Sequence, residues 1–370
     1  MFRVTRHFSR LFPVLAIVLL GPLTLFAQGS SVKIGLLIPD ESSSEIIHAT
    51  SLAIGQANES GGVNGIPFEM VVRTTEGPWG VGSRESVSLI YDDSVCAMLC
   101  ALDGRNAHLA EQVAAKTHVA CIETRATDPT LTQAYVPWFM RVVPNDHQQS
   151  REILQCVNRS TIGKLAILST GAYDARMAAQ SLTRMAALSG AASPEIIMVQ
   201  PDLQDPDLVA DRIRNKQIRH LVITFHSKAV QGLTSQLILK EPELEIYGMH
   251  GFTAGISFQH PAWSNFEGLW LVSAHILCSS TGKEFMEKFN DRFGYTPGVS
   301  AAYAYDGMNL ILEAIRTTGA EREAIREFLS GIEYLKGVTG SIAFDELGNR
   351  TGSARLTRIQ DGQPCIRQSR

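Results

Sequence analysis

The sequence lacks the short motifs that identify most hydrolases, metalloenzymes and nucleotide-binding proteins. It contains no HExxH, no GxSxG, no Walker-type glycine loop and no glycine-rich dinucleotide fingerprint. Those motifs supply metal ligands, an activated nucleophile or a phosphate-binding turn, so their absence disfavours an enzyme. Asp40, His226 and His250 can be imagined as a metal site, but no short ligand spacing supports one. We therefore expect no catalytic residues, no metal and no cofactor.

Runs of basic residues and long apolar segments are also missing beyond the first 29 residues. The chain has 33 Lys and Arg against 37 Asp and Glu, which gives a formal net charge of −4. A mildly acidic chain without a cluster of basic residues offers little to nucleic acid or to an anionic membrane surface. We therefore expect neither as a partner.

The first 29 residues have the composition of a secretory signal peptide. Three arginines precede an apolar stretch at residues 11–26, and small residues suited to cleavage follow at 27–29. A membrane anchor is the alternative, but the stretch is interrupted by Pro and Gly and falls short of the roughly 20 apolar residues that a span needs. We therefore expect residues 1–29 to be removed and the mature protein to reach the periplasm.

Six cysteines are present, none with CxxC spacing, at positions 96, 100, 121, 156, 278 and 365. The apolar surroundings of the first three predict buried free thiols, with Cys96 and Cys100 on one face of a strand. An oxidising compartment also permits a disulfide, whose pairing cannot be derived from the sequence. Both alternatives stay open.

Residues 32–72 predict a complete βαβ unit. An apolar run at 32–38 is long enough for one buried strand, and apolar residues at helical spacing follow from Ile46 to residue 57. Ser42 and Glu45 have the spacing of a capping box, which predicts the helix start there. A glycine-rich turn at 61–65 and a second apolar run at 66–72 complete the unit.

Strand and helix patterns alternate through the rest of the chain, which is typical of an α/β protein with parallel sheets. The mature length is too great for a typical single core and predicts two lobes. Further strands are predicted at 95–99, 119–123, 165–168, 196–199, 221–225, 246–249 and 269–274. Helices are predicted at 107–116, 175–188, 229–239, 283–293, 302–317 and 321–331, and a terminal hairpin joins 342–344 to 354–359.

Five segments in order resemble one family. They are the Gly-Gly-Val-Asn-Gly turn at 61–65, Ala-Thr-Asp-Pro-Thr-Leu-Thr at 126–132, Phe-Met-Arg-Val-Val-Pro at 139–144, Ala-Tyr-Ala-Tyr-Asp-Gly at 302–307 and Gly-Val-Thr-Gly at 337–340. Together they resemble the branched-chain amino-acid (Leu/Ile/Val-binding) solute-binding proteins of ABC transporters, which have the type I periplasmic binding fold. The resemblance covers nearly all of the mature chain.

The resemblance implies two doubly wound parallel-sheet lobes joined by three crossovers, with a ligand cleft between them. The crossovers are expected near Pro144, Ala274 and Gly337. Lobe one is then 30–143 plus 276–332, and lobe two is 144–275 plus 333–370. The expected function is a monomeric periplasmic receptor that binds a small polar solute, closes around it and delivers it to an ABC permease in the inner membrane. A sensing module that feeds a membrane receptor is the alternative.

Candidate ligand-binding residues follow the strands, because ligands of doubly wound sheets bind beyond the carboxyl ends of the strands. They are Ser42, Gly104, Arg105, Asn106, Arg125, Ala126, Thr127, Tyr173, His226 and His250. Several have other readings: Ser42 as a helix cap, the arginines as surface charges, Tyr173 as a packing residue and His226 as a structural strand end. Asp306 is expected to be scaffold, bonded to backbone.

The resemblance also bears on the ligand class. Backbone amides after Asp103 and the hydroxyl of Thr127 are expected to hold a ligand carboxylate, while Gly104 stands where the family usually has serine. His250 stands where amino-acid binders have a glutamate for the ligand ammonium. An unpaired ammonium in a closed cleft is costly. We therefore expect an organic acid or amide-like solute, with a branched-chain or other amino acid as the alternative.

Overall fold

The computed structural model describes residues 31–160, 164–202, 205–256, 263–352 and 354–366. The predicted signal peptide lies outside the described residues. Within those ranges no helix is both long enough and apolar enough to span a bilayer.

The chain forms twelve described strands, numbered in chain order. They are β1 (Val32–Ile38), β2 (Phe68–Thr74), β3 (Ala97–Cys100), β4 (Ala120–Glu123), β5 (Phe139–Arg141), β6 (Lys164–Ser169), β7 (Glu195–Met198), β8 (Ile218–Ile223), β9 (Glu245–Gly248), β10 (Trp270–Val272), β11 (Leu356–Gln360) and β12 (Gln363–Ile366).

The described α-helices are numbered in the same way. They are α1 (Ser44–Glu59), α2 (Val81–Tyr91), α3 (Gly104–Thr117), α4 (Asp146–Ser160), α5 (Tyr173–Leu188), α6 (Pro206–Asn215), α7 (Lys228–Lys240), α8 (His250–Thr253), α9 (Ser280–Phe293), α10 (Val299–Thr318) and α11 (Arg322–Ser330). The periodic patterns of the sequence predicted seven of the long helices, and α2, α4 and α6 were missed.

The first sheet is parallel throughout, in the order β2-β1-β3-β4-β5. Alternate residues of β1 enter different cores: Ile34 and Leu36 pack with α1 and α10 on one face, while Leu37 packs with α2 and α3 on the other. Burying one such side chain contributes about 1.5–3 kcal/mol. Because β1 is covered on both faces and paired on both edges, a continuous apolar run was the correct signal for it.

The second sheet has the order β12-β11-β10-β9-β8-β6-β7. Strands β6 to β10 run parallel, and the β11–β12 hairpin joins antiparallel to β10. Helices α4 and α5 cover one face, while α6 and α7 cover the other. The two doubly wound parallel sheets confirm the predicted fold class.

The buried cores show where the chain passes between the two sheets. Val143 packs in the core of the first sheet and Ile153 in that of the second, so the first passage lies between them. Ala274 packs with the second sheet and Ile276 with the first, so the chain returns there. The third passage was predicted near Gly337 and lies later, because Ile342 still packs with the first sheet. Residue 354 is the first after it to pack with the second sheet. The exact division into lobes stays a prediction.

Two local expectations were wrong. Ser42 does not cap α1: its backbone N–H and Oγ both donate to Oδ1 of Asp40, at 2.8 and 2.5 Å, and the N-cap is Ser43. Glu45 instead accepts a hydrogen bond from the N–H of Gly298 at 3.0 Å. In the tail, β11 pairs with β12 and β10, so residues 342–344 are not its hairpin partner.

The six cysteines all lie in the described ranges, none of them forms a disulfide, and four of them are buried. Cys96 lies just before β3 and packs with α1 and α10, whereas Cys100 packs on the opposite face, so the prediction that they share a face was wrong. The Sγ atoms of Cys100 and Cys121 lie 3.2 Å apart on neighbouring strands.

Candidate ligand-binding cleft

A cavity of about 650 Å³ lies between the carboxyl ends of the two sheets. The loops that follow β1, β3 and β4 line it from one side, and the loops that follow β6, β8 and β9 line it from the other. This is the position that strand order predicts for a ligand of a doubly wound sheet.

The structure brings half of the predicted site residues to this cavity. Ser42, Arg125, Thr127, His226 and His250 line it. Gly104, Arg105, Asn106, Ala126 and Tyr173 are not among its lining residues. Contacts that join the two sides of the cleft explain why some of the predicted residues do not line the cavity.

The first of these contacts occupies the N-terminus of α3. The carboxylate of Asp174, at the start of α5, accepts a hydrogen bond from the N–H of Gly104 at 2.9 Å. The carboxylate of Asp103 accepts those of Arg105 and Asn106 at 2.9 and 3.1 Å. These amides were expected to hold a ligand carboxylate, but the protein's own carboxylates already occupy them.

The close contact also explains the glycine at position 104. A Cβ there would lie 2.8 Å from the ring of Tyr173 and 2.9 Å from a carboxylate oxygen of Asp174. A serine would therefore push the two sides of the cleft apart. The missing hydroxyl is a consequence of this close approach.

Tyr173 makes the second contact across the cleft. Its hydroxyl donates to Oδ2 of Asp128 at 2.7 Å, and the ring of His108 lies 3.4 Å from the same oxygen. Burial alone would raise the pKa of Asp128, but the bonds from His108, Tyr173 and Thr130 outweigh it and lower the pKa to about 2. The bonds from Asp128 and Glu111 raise the pKa of His108 to about 9. The cleft is therefore closed by a charge-assisted bond.

Arg105 lies on the ring of Tyr173 and does not face the cavity. Its guanidinium lies 5.3 Å from the centre of the Tyr173 ring, and that of Arg176 lies 5.8 Å from it. A cation at this distance from an aromatic face is stabilised by the ring quadrupole. Arg105 is therefore accounted for without a ligand.

We expect Tyr173→Phe to loosen the closed cleft. Loss of a hydrogen bond to a carboxylate costs about 1.5–3 kcal/mol, so the apparent ligand affinity should fall by roughly tenfold. Small-angle scattering should show a larger radius of gyration for the variant than for the unmodified protein. An unchanged radius and unchanged affinity would show that this bond does not hold the two sides together.

Arg125 is the cation that the structure leaves available in the cleft. Its side chain is exposed, and no carboxylate in the described part of the chain lies within 4 Å of its guanidinium. It lines the cavity together with Glu45, Asp174 and His250, and its charge favours a lower pKa of each of these three groups.

A buried carboxylate fixes the loop that carries Arg125. Oε1 of Glu123 accepts the backbone N–H groups of Leu102, Thr124, Arg125 and Ala126, at distances of 2.8 to 3.2 Å. Burial raises the pKa of Glu123 to about 7, against the opposing effect of these bonds. Ala126 thus belongs to the support of the site.

Glu45 and Asp174 are cleft residues that the sequence interpretation missed. Both line the cavity, and burial raises the pKa of each carboxyl, partly offset by a backbone N–H and by Arg125. One carboxylate oxygen of Glu45 accepts the N–H of Gly298, and one of Asp174 accepts the N–H of Gly104. The capping-box spacing of Glu45 concealed this position, and no pattern distinguished Asp174 from other first-turn acids of helices.

His250 lies at the base of the cleft, 2% exposed. Its backbone N–H donates to Oε1 of Gln149 at 2.8 Å. Its ring Nδ1 lies 3.2 Å from Oγ of Ser273, and that oxygen also accepts a hydrogen bond from the hydroxyl of Tyr303. Its Nε2 has no partner in the described ranges. Burial, with a smaller effect of Arg125, lowers the pKa of His250 to about 4.

His250 should therefore stay neutral throughout the physiological range. The fold disfavours its protonation, so its contribution to stability is full above about pH 6.5 and is lost as the pH falls through about 4. Histidine-selective NMR should find this ring unprotonated from pH 8 down to about 5, whereas His108 should remain protonated up to about pH 9. Titration of His250 near pH 6.5 would mean that it is not buried in solution.

The remaining predicted residues have structural roles. His226 lies 3.2 Å from Oε1 of Gln231 and is half-buried beside Gly255, where a Cβ would clash with its ring. Thr127 is buried, and its backbone carbonyl accepts the N–H of Asp146 at 2.9 Å. Within the described ranges, no group of three or more His, Cys, Asp and Glu residues is arranged to hold a metal ion.

Comparison with solved structures shows a shared fold. A solute-binding protein of an ABC transporter from Rhodopseudomonas palustris BisB5, in complex with 3,4-dihydroxybenzoic acid, is 20% identical with a TM-score of 0.76, over 90% of this chain and 95% of that one. An ABC transporter substrate-binding protein from Desulfitobacterium hafniense, in complex with Leu, is 18% identical with a TM-score of 0.74, over 91% and 100% of the two chains.

Two sequence comparisons complete the assignment. The chain is 23% identical over 383 residues to glutamate receptor 3.4 of Arabidopsis thaliana, and the match covers 88% of this chain but only 38% of that receptor. The profile of the family described as periplasmic binding protein matches residues 31–363. That match spans most of the sequence and every strand of both sheets up to β12, so the chain belongs to the periplasmic binding protein family.

Proposed function

We propose that this protein is a periplasmic receptor that captures a small carboxylate-bearing solute in its cleft and delivers it to an ABC permease in the inner membrane. The proposal rests on one observation above all: Arg125 is an unpaired, exposed guanidinium inside a closed cleft. A planar guanidinium recognises a carboxylate through two parallel N–H···O bonds. Membership of the periplasmic binding protein family supports a receptor for a solute, and we propose that it acts as a monomer without catalysis.

The carboxylates around Arg125 favour a ligand that also carries an amine. The sequence-based expectation of an amine-free ligand depended on His250 replacing a glutamate. Glu45 and Asp174 line the same cleft and can pair with an ammonium group. The reason for expecting an amine-free ligand therefore no longer holds. A purely anionic ligand would gain the attraction of Arg125 and meet the repulsion of both carboxylates. An amino acid satisfies both kinds of charge.

An organic acid without an amine is the second candidate. The neutral ring of His250 supports it, since an unpartnered Nε2 can donate to a ligand oxygen when Nδ1 accepts from Ser273. Solved neighbours include proteins in complex with benzoate and with p-hydroxybenzoic acid as well as with Leu and isoleucine. The same fold therefore accommodates both ligand classes in other proteins.

A thermal-shift screen separates these candidates. It should contain the common amino acids, benzoate and hydroxybenzoates, aliphatic carboxylic acids and simple amines. We expect the largest rise in melting temperature with an amino acid. Hits confined to amine-free acids would favour the second candidate, and hits confined to amines would contradict the carboxylate role of Arg125.

Sensing is the alternative to transport, and the similarity to a plant receptor supports it. The solute-binding chemistry of the cleft is the same in both cases. Reconstitution with a candidate permease in vesicles distinguishes them: a transport receptor should stimulate ligand uptake and ATP hydrolysis, and a sensor should leave both unchanged.

A further inference from the structure

The cleft contains more negative charge than an amino acid with an uncharged side chain can balance. Among the described lining residues, Arg125 is the one permanent cation, and four side chains are carboxylates: Asp40, Glu45, Asp103 and Asp174. The two histidines of the lining stay neutral, because burial lowers the pKa of each. Four carboxylates against one guanidinium leave an excess of three negative charges, and none of the four forms an ion pair within 4 Å in the described chain.

Three of the four carboxylates keep one oxygen available for a ligand. Asp40 uses only Oδ1, which accepts the backbone N–H and the hydroxyl of Ser42. Glu45 and Asp174 each use a single oxygen, for one backbone N–H. Asp103 is different, because both of its oxygens accept hydrogen bonds at the start of α3. The available oxygens are therefore those of Asp40, Glu45 and Asp174.

A zwitterionic ligand leaves one of these three carboxylates without a partner. In the proposed pairing the ligand carboxylate binds Arg125 and the ammonium binds Glu45 and Asp174. Asp40 would then lose water to the ligand without gaining a cation, which is unfavourable for a carboxylate. The carboxylates also repel one another: burial raises the pKa of Asp174, and the charge of Asp103 adds to that effect.

The rest of the lining does not suit an aliphatic side chain. Ile46 and Phe225 are the large apolar side chains among the described lining residues, and the other apolar members are one proline and three alanines. Serine, threonine, histidine and carboxylate side chains supply most of the remainder. An aliphatic group would cover these polar groups without offering them hydrogen bonds, which costs free energy.

We propose that the solute is an amino acid whose side chain ends in a cation, an amine or a guanidinium, and that Asp40 binds this second cation. The inference rests on the proposed function, from which it takes the roles of Arg125, Glu45 and Asp174. Asp40 follows β1 at the carboxyl edge of the first sheet and presents a free Oδ2. The cavity of about 650 Å³ is large enough for a long side chain, since small-molecule sites span about 300–1,000 Å³.

Calorimetry with two pairs of matched amino acids tests the second cation. Norleucine lacks the terminal amine of lysine, and citrulline carries an uncharged urea group where arginine has its guanidinium. Within each pair the length of the side chain is nearly the same, so the comparison isolates the charge. The tighter binder of lysine and arginine should bind at least about 30-fold more tightly than its neutral counterpart, as expected for a charge pair that binding desolvates.

Asp40→Asn tests which residue holds the cation. The amide keeps an oxygen for Ser42, so the melting temperature should not change. The preference for the charged amino acid over its neutral counterpart should fall to about threefold or less, since the charge pair is lost. Glu41→Gln is the matched control: Glu41 is exposed, does not line the cleft, and its replacement should keep the full preference.

The outcomes separate this inference from the proposed function. If neutral and charged amino acids bound equally well and Arg125→Gln still abolished their binding, the cationic side chain would be overturned and the amino-acid receptor would stand. If none of the four amino acids bound, both would be overturned. A full preference for the charged amino acid in Asp40→Asn would overturn the role of Asp40.

Discussion

Replacing Arg125 with Gln is expected to lower the affinity for the cleft ligand by about 100-fold, because the ligand carboxylate and Arg125 would form a charge pair that ligand binding buries, and truncating one partner of such a pair typically costs about 2–5 kcal/mol. Arg125 is exposed and forms no ion pair in the described chain, so the variant should keep the melting temperature of the unmodified protein. Isothermal calorimetry with the strongest hit of the ligand screen measures the effect.

Arg105→Gln is the matched control for Arg125→Gln. It removes the same charge from a neighbouring loop of the same sheet, but Arg105 lies on the ring of Tyr173 and does not line the cavity. Its affinity should change by less than about threefold, as expected for an exposed charge contact. If Arg105→Gln abolished binding and Arg125→Gln did not, the cleft cation would have been misassigned.

Asp306→Ala is expected to lower the free energy of unfolding by about 3 kcal/mol. The carboxylate is 1% exposed and accepts the N–H groups of Val338 and Thr339 and the hydroxyl of Thr339, at 2.6 to 2.9 Å. Removing it orphans buried donors and takes a compensating charge away from Arg350. Chemical denaturation measures the loss. These bonds confirm that Asp306 is scaffold, as expected from the sequence.

Ligand affinity at low temperature should be nearly the same for Asp306→Ala as for the unmodified protein, since Asp306 does not line the cleft. Asp291→Ala, at an exposed position of α9, is the control and should change stability by less than about 0.5 kcal/mol. A large loss of affinity with unchanged stability would assign Asp306 to the ligand site.

The sequence was sufficient to predict most of the fold because its elements have local signals. The run at β1 is buried on both faces, and the glycine turn after α1 has a steric cause: Gly62 has φ +62°, and a Cβ there would lie 2.2 Å from the carbonyl oxygen of Ile66. The prediction for the C-terminal tail was wrong because it paired two short apolar runs that lie close together in the sequence. In the structure β11 pairs on one side with β10, which lies more than 80 residues earlier in the sequence.

The cleft was only partly predictable because its chemistry depends on contacts between distant segments. Strand ends indicated Arg125 and His250, which line the cavity. Nothing near Gly104 in sequence indicated that Asp174 would occupy its N–H from the other side. Likewise, the role of Glu45 depends on Gly298, which lies 253 residues away.

The most direct test of the central claim is a calorimetric comparison of three ligands. The amino acid that gives the largest thermal shift is titrated beside its deaminated acid and its decarboxylated amine. If the carboxylate binds Arg125 and the ammonium binds Glu45 and Asp174, removing either group should weaken binding at least about 100-fold. Tight binding of the deaminated acid would contradict the ammonium site, and tight binding of the amine would contradict the carboxylate site at Arg125.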